Sequence, residues 1–305
     1  MSFSLSKWVC PPPETFDNPK GSKGKVEWFR CLPYVLIHLS ALFAFFHPVT
    51  FYCFVIAFLS YAARMFAITA FYHRYFSHRA FKTGRIVQFL GALTACSSGQ
   101  RGPLWWAAHH RRHHRHSDAE DDVHSPHTKS LLWSHTLWFM TDYAVPTFLK
   151  EIPDWLKFPE LRFLNRYDWI PVVLLASGCY FLGEIAAFQS ITGMNGIMFL
   201  IWGFIIPTIA LYHATFAVNS INHLVGSKRF DTGDESRNNS FVAFITMGEG
   251  WHNNHHFFPG SAKQGFFPGE FDLTYQILRI FAFFGLVRNL RPVPDWVKKK
   301  ASIQP

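Results

Sequence analysis

Four stretches of this chain, residues 32–46, 51–71, 169–188 and 197–218, are almost free of charge. A bilayer-spanning helix takes about 20 predominantly apolar residues. The first stretch is short unless Trp28 and Phe29 extend it at the interface. His47-Pro48-Val49-Thr50 separates the first two stretches and residues 190–195 separate the last two, so the pattern predicts two helical hairpins. No Lys or Arg lies between Leu32 and Ala63 or between Tyr167 and Ser227, whereas the flanking segments are rich in them. The positive-inside rule then puts both termini and the long middle section in the cytoplasm. Arg64, late in the second stretch, is expected to snorkel toward that side.

Three weaker apolar stretches, 86–96, 131–143 and 271–287, are too short or too polar to span and are expected to lie at the interface as helices. Asp272 and Arg279 disfavour a fifth crossing, as does Lys298-Lys299-Lys300 on the C-terminal side. Pro11-Pro12-Pro13 and the lysines of 20–25 precede any long apolar run, which predicts a solvated tail over 1–31 with no signal peptide. A membrane domain over 32–290 and a cytoplasmic tail over 291–305 complete the organisation.

Composition agrees with a chain partly solvated by lipid. Of 305 residues 49% are apolar, 18% aromatic and only 16% charged, with 34 phenylalanines. The net charge of +9 does not point to nucleic acid, because the basic residues flank apolar runs instead of forming one stripe. The five cysteines, Cys10, Cys31, Cys53, Cys96 and Cys179, form no CxxC, and read best as small buried hydrophobes in a reducing compartment.

Histidine carries the chemistry. His73-Arg74-Tyr75-Phe76-Ser77-His78 is followed by His110-Arg111-Arg112-His113-His114 and His252-Asn253-Asn254-His255-His256, while Asn219 and His223 sit at the foot of the fourth apolar run. In the two HxxHH copies, positions i, i+3 and i+4 share a helix face, so each is expected to present three imidazoles to one point. A spacing of five takes His78 off the face of His73, which suits a helix end followed by a turn. All nine histidines fall on the predicted cytoplasmic side. A single HxxHH is commonly a solvated turn; two copies that converge read as a metal site. Nine imidazoles exceed one site and suit two metals. The predicted fold is thus an all-α integral membrane protein: four transmembrane helices in two hairpins, with a cytoplasmic helical cap holding a histidine-rich di-metal centre. Removing hydrogen from an unactivated methylene beside such helices needs a strong oxidant, which zinc cannot supply and two irons activating O2 can.

The motifs HRYFSH, HRRHH, NSINH and GEGWHNNHH resemble the boxes of the membrane fatty acyl desaturases, and GEGWHNNHH followed by SAKQGF is similar to the stearoyl-CoA (delta-9) branch. The resemblance runs from about Val35 to Leu290. It implies O2-dependent insertion of a cis double bond into a saturated acyl chain by two ferrous ions. It makes His73, His78, His110, His113, His114, His223, His252, His255 and His256 their ligands, with Asn219 acting through a water. Gln100 and Trp106 match residues lining a bent acyl tunnel. Glu249, three residues before His252, is the favoured orienting carboxylate, with Asp118, Asp121, Asp122, Asp231, Asp234 and Glu235 as further candidates. His109, His116, His124, His127 and His135 break the spacing and are not expected to be ligands; His38, His47 and His213 read as structural.

The resemblance also implies a separate electron donor with its reductase, cytochrome b5 or ferredoxin, because His47-Pro48 does not continue as a haem motif. Substrate would be a CoA thioester or a lipid. The membrane would be the endoplasmic reticulum in a eukaryote or the inner membrane in a bacterium, with the active site facing the cytoplasm. One departure bears on the carrier: where animal acyl-CoA desaturases have Arg-Asp before the second box, this chain has Ala108-His109. Arg101, Arg111, Arg112 and Arg115 remain as candidates to hold phosphate. Two other readings of the same residues are a di-iron hydroxylase of a lipid, sterol or alkane and, from another class, a metal transporter.

Overall fold

The computed structural model describes residues 24–301, which are predominantly helical. Among the described residues three helices are long and apolar enough to cross a membrane: α1 (Trp28–Phe46), α2 (Phe51–Ser77) and, later in the chain, Gly196–His223. Between the second and third come the two-residue strand β1 (Lys82–Thr83) and the helices α3 (Arg85–Cys96), α4 (Pro103–His116) and α5 (Pro159–Arg166). Next are α6 (Trp169–Gly183) and α7 (Ala186–Thr192), then α8, the Gly196–His223 helix. After α8 lie α9 (Ser240–Ile245), α10 (His252–Phe257), α11 (Leu273–Phe283), β2 (Val287–Arg288), antiparallel to β1, and α12 (Asp295–Ala301).

Phe43, Phe45, Phe46, Phe51, Phe54 and Phe58 are all exposed on α1 and α2. Left in water, each large side chain would forgo roughly 1.5–3 kcal/mol of burial. Such a surface fits membrane association. α1 starts at Trp28, so Trp28 and Phe29 do extend the first run.

The third apolar run is not one helix. α6 stops at Gly183 and α7 turns away by 77°. The break lies where Glu184 Oε1 accepts a hydrogen bond from the Gly196 N–H at 2.9 Å. A Cβ on Gly183 would stand 2.7 Å from the Gly196 Cα, so only glycine lets α6 and α8 approach this closely.

Arg64 also departs from expectation. It does not snorkel: it is 2% exposed, with Nε donating to the Ser60 carbonyl at 3.1 Å and Nη1 to Thr208 Oγ1 at 2.6 Å. Ser60 donates to the Gly203 carbonyl at 2.5 Å, so polar contacts join α2 to α8 inside the apolar layer. The 131–143 stretch breaks into a π turn (Trp133–Leu137) and short 3₁₀ turns, because Ser134, His135 and Thr141 spend their polar groups on neighbouring segments and on the local backbone. The segment after 291 includes a docked helix, α12, with Val297 fully buried against Phe230, Phe266 and Val293.

Candidate metal centre

All nine histidines come together, in two groups. His73, His78, His110, His114 and His255 form one; His113, His223, His252 and His256 form the other, with all ligand atoms in each group within 4.8 Å of one another. Neither HxxHH box serves a single point, as its spacing suggested. His110 and His114 join the first group while His113 joins the second; His252 and His256 join the second while His255 joins the first. At 3.6 residues per turn, i and i+4 lie about 40° apart, whereas i+3 falls on the far side of i, about 100° from i+4. Each box therefore straddles two sites.

Helix geometry places the other members. α2 widens to a π-helix over Ile68–Ser77, and the His78 N–H donates to the His73 carbonyl at 3.3 Å, an i→i+5 closure. That wide turn stacks His78 near His73, ring centroids 4.9 Å apart, so a helical turn brings together what looked like two separate faces. α4 begins with Pro103 at its first turn and carries the second box on its last turns. The third box follows Gly250, where a Cβ would lie 2.0 Å from the Ala243 N. Asn253 and Asn254 then clamp the box from outside. Asn253 Oδ1 accepts from the N–H groups of Arg229 and Phe230, both at 2.8 Å, and Asn254 donates to the Gln264 carbonyl at 3.1 Å.

The imidazole Nε2 atoms face inward. His73 and His255 approach to 3.0 Å through Nε2, His78 and His110 to 2.9 Å, His110 and His114 to 3.0 Å, and His223 and His252 to 3.0 Å. Several Nδ1 atoms are held from behind: His113 by Asp122 at 3.1 Å, His223 by Asp118 at 2.8 Å, His256 by Asp234 at 2.5 Å, and His73 by Glu249. An Nδ1–H donated to a carboxylate leaves Nε2 with its lone pair. Lone pairs converging at this distance repel unless a cation lies among them. Nε2 of His113 and of His256 is buried with no hydrogen-bond partner, as a ligand atom awaiting a metal would be. Metal–imidazole bonds of about 2.1 Å, as in zinc sites, would put ligands at right angles about 3.0 Å apart. The donor set fits a metal in each group.

The two groups differ electrostatically. Three carboxylates stand behind the second, through Asp118, Asp122 and Asp234, against Glu249 alone behind the first. Burial by itself would raise these acids, yet the histidines they hold lower all four, with Arg74 contributing at Glu249. Glu249 serves His73, not His252, because helical geometry starts only at His252. Asp121, Asp231 and Glu235 have no bond to any of the nine: Asp231 accepts from the Gly233 N–H, and Glu235 pairs with Lys228 and Arg237.

Two positions carried no sequence signal for this role. Arg74, 1% exposed, bridges Glu249 and Asp272, and Gln264 Nε2 lies 2.9 Å from Glu249 Oε2 and 3.1 Å from His73 Nδ1. A buried polar residue is visible only once its neighbours are.

Burial drives His110, His114, His252 and His255 well below the ordinary imidazole range, and takes His256 to about 4 although Asp234 opposes it. These rings stay neutral and keep their lone pairs. The sign for metal-free protein follows: the unfolded chain takes up protons below pH ~6.5, where the buried rings do not. Stability should be intact above that pH and be lost as pH falls toward about 4, by up to roughly 1.4 kcal/mol per unit per ring. Thermal unfolding of chelator-treated protein checks this; a Tm unchanged between pH 7 and 5 contradicts it.

A cavity of about 230 Å³ opens beside the histidines, and His73, His110 and His252 form part of its wall with Asn219. Gln100 and Trp106 line it too. Gln100 donates to Thr215 Oγ1 at 2.6 Å, and Trp106 stacks on His110 with ring centroids 5.0 Å apart. Tyr34 and Tyr212 are also in its wall, ring centroids 5.7 Å apart. Arg111 is unsuited to holding phosphate, because its guanidinium is spent on Asp154 and on the carbonyls of Phe76, Ser77 and Glu151. Arg101 pairs with Asp168 and Arg115 with Glu151. His109 donates from Nε2 to the Pro146 carbonyl at 2.9 Å, and His127 donates from Nε2 to the His223 carbonyl at 2.8 Å. His38, His213 and His135 form a ring-to-ring chain of their own, at 3.2 and 3.0 Å.

A sequence model of the fatty acid desaturase family matches residues 24–263. The chain belongs to that family. It is 33% identical to the sn-1 stearoyl-lipid 9-desaturase of Anabaena variabilis, over 88% of this chain and 96% of that protein. It is 34% identical to an acyl-CoA 5-desaturase of Anemone leveillei, over 79% and 72%. To the sn-2 palmitoyl-lipid 9-desaturase of a Nostoc strain it is 30% identical, over 90% and 94%. The protein is therefore an oxidoreductase of lipid metabolism that desaturates fatty acyl chains, and the stearoyl delta-9 type is consistent with these relatives.

Proposed function

We propose that this desaturase inserts a cis double bond at the delta-9 position of a saturated acyl chain, using O2, two iron ions and electrons from a separate carrier protein. One observation carries the reading: two converging groups of five and four imidazoles share the wall of an apolar cavity. His73, His78, His110, His114 and His255 would hold one iron. His113, His223, His252 and His256 would hold the other, with Asn219 beside it on the cavity wall. When bound, the irons supply the activation of O2 that hydrogen removal from an unactivated methylene requires.

The chain's own residues do the positioning. Asp118, Asp122, Asp234 and Glu249 fix ring orientation by accepting Nδ1–H bonds. Gln100 tied to Thr215, together with Trp106, shapes the cavity so that one pair of methylenes sits beneath the histidines. Tyr34 and Tyr212 form part of the same wall. The reading places α1, α2, the bent α6–α7 pair and α8 across the membrane, with the histidine cap on the cytoplasmic side.

The carrier is read first as CoA. A membrane lipid is the second reading, and one observation favours it. Ala108 is fully buried and His109 is held at Pro146, so neither residue reaches a headgroup where animal acyl-CoA desaturases have Arg-Asp.

Expression in a host unable to make unsaturated fatty acids, with mass spectrometry locating any new olefin, tests the function. Growth rescue with a bond between carbons 9 and 10 is expected. A bond elsewhere removes the delta-9 assignment, and a hydroxylated product without olefin replaces desaturation by hydroxylation. Purified protein offered the same acyl chain as CoA thioester and as glycerolipid decides the carrier.

A further inference from the structure

Beyond the residues matched by the family, the chain builds a basic face directly behind the third histidine box. α12 packs through Val297 against Phe230 and Phe266, which places Trp296 at the surface, 56% exposed. The Trp296 ring meets Phe257 edge-on at 6.0 Å and Phe258 at 5.8 Å. Phe257 is bonded to His256, one of the second histidine group, and stacks flat on Phe230 at 4.2 Å. Two basic side chains flank this aromatic cluster, Lys300 and, at the turn after Phe258, Arg291. Lys300 Nζ lies 5.0 Å over the Phe257 ring, Arg291 Nη1 approaches Gly260, and the Ala262 N–H binds the Arg291 carbonyl. α12 itself carries three lysines against one acid, Asp295.

We propose that this face, centred on Trp296, docks the acidic one-electron carrier protein that reduces the metal centre. The inference rests on the di-iron desaturase reading above. Desaturation takes two hydrogens from the chain and reduces O2 to two waters, which requires two further electrons and two protons. The carrier is oxidised by one electron per encounter and the centre reduced by one, so two encounters serve each turnover. Charge supplies the partner's class: α12 carries three lysines against Asp295, Lys300 and Arg291 flank the aromatic cluster, and complementary acids on a carrier would steer encounter. Position supplies the route, since Trp296 and Phe257 are one ring contact apart and Phe257 adjoins His256 in the chain. Lipid headgroups would satisfy the same lysines and an interfacial tryptophan; the carrier reading adds the ring contact that leads from Trp296 through Phe257 to the third box.

The test is stopped-flow reduction of the oxidised, iron-loaded protein in neutral detergent, where no anionic headgroup is present. The probes are reduced plant-type ferredoxin and the reduced soluble domain of cytochrome b5, with dithionite as a small reductant that needs no docking. With whichever carrier reduces the parent, Lys298→Glu/Lys300→Glu should lower the second-order rate about tenfold at low ionic strength, the gap closing as salt rises. Dithionite should reduce parent and variant alike. Trp296→Ala should lower the limiting rate at saturating carrier, and Trp296→Phe should restore most of it. Equal carrier rates for parent and charge-reversed protein at low salt overturn the docking surface, as does failure of both carriers with a dithionite-reducible centre. A loss seen only in anionic-lipid nanodiscs reassigns the lysines to headgroups. Absence of any dithionite-reducible iron removes the desaturase reading itself, and the surface with it.

Discussion

Replacing His255 by alanine is expected to abolish desaturation while leaving the protein folded and inserted. His255 is 1% exposed, and its Nε2 stands 3.0 Å from both His73 and His114, so the first group loses a central member. Losing an orienting partner of a ligand costs up to about 100-fold, and losing a ligand should cost more. The division of each box between two groups sharpens the expectation. His255→Ala and His110→Ala should each deplete the first site, whereas His252→Ala, three residues from His255, should deplete the second. Iron content should fall from about two toward one per chain in every case, with distinct spectroscopic signatures for the iron that remains. Retained turnover in His255→Ala or His110→Ala would sink the ligand assignment, and identical residual spectra for His252→Ala and His255→Ala would sink the split.

Arg74→Met should be the most destabilising single change. The Arg74 guanidinium lies 3.0 Å from Glu249 and 2.9 Å from Asp272, and Nη1 also donates to the Ala262 carbonyl at 2.7 Å. Removing it strands two buried carboxylates, a loss of about 3–5 kcal/mol where one partner of a buried pair is deleted. In a protein of this size that is a fall in Tm of about 5–8 °C. The variant should also bind iron poorly, because Glu249 no longer has a cation beside it as it orients His73. Glu249→Gln separates the two effects: it preserves shape and the Arg74 contact but weakens the acceptor behind His73. A Tm for Arg74→Met within a degree or two of the parent would show that the network does not hold the cap.

Much of this protein is written in local pattern. Long apolar runs bounded by polar turns dictate membrane-length helices, and the HxxHH spacing dictates imidazoles on one side of a helix, because both follow from a single helical period. The four motifs sufficed to identify the family. What spacing left open was allocation. Whether i+3 shares a site with i and i+4 depends on where the second helix stands, and that depends on packing of α2, α4 and α10 against one another. Glu249 shows the same limit: its candidacy was legible, but its partner proved to be His73, 176 positions away, because the backbone before His252 is a tight glycine turn.

Arg64 and the third apolar run mark the boundary most clearly. By sequence alone an arginine near a helix end reaches for water, and a charge-poor run reads as one span. In the folded chain, Thr208 on a facing helix captures the guanidinium, and the run bends by 77° after Gly183, where Gly196 packs close and its N–H binds Glu184. The sequence by itself determined the class of chain, through composition and short-range periodicity, and its family and the residue type of the candidate metal centre, through the four histidine motifs. Only the tertiary structure decided which imidazoles share a site, which carboxylate stands behind each ring, and that α12 lies behind the third box with Trp296 at the surface. Those outcomes depend on contacts between segments distant in the chain, and no local spacing encodes them.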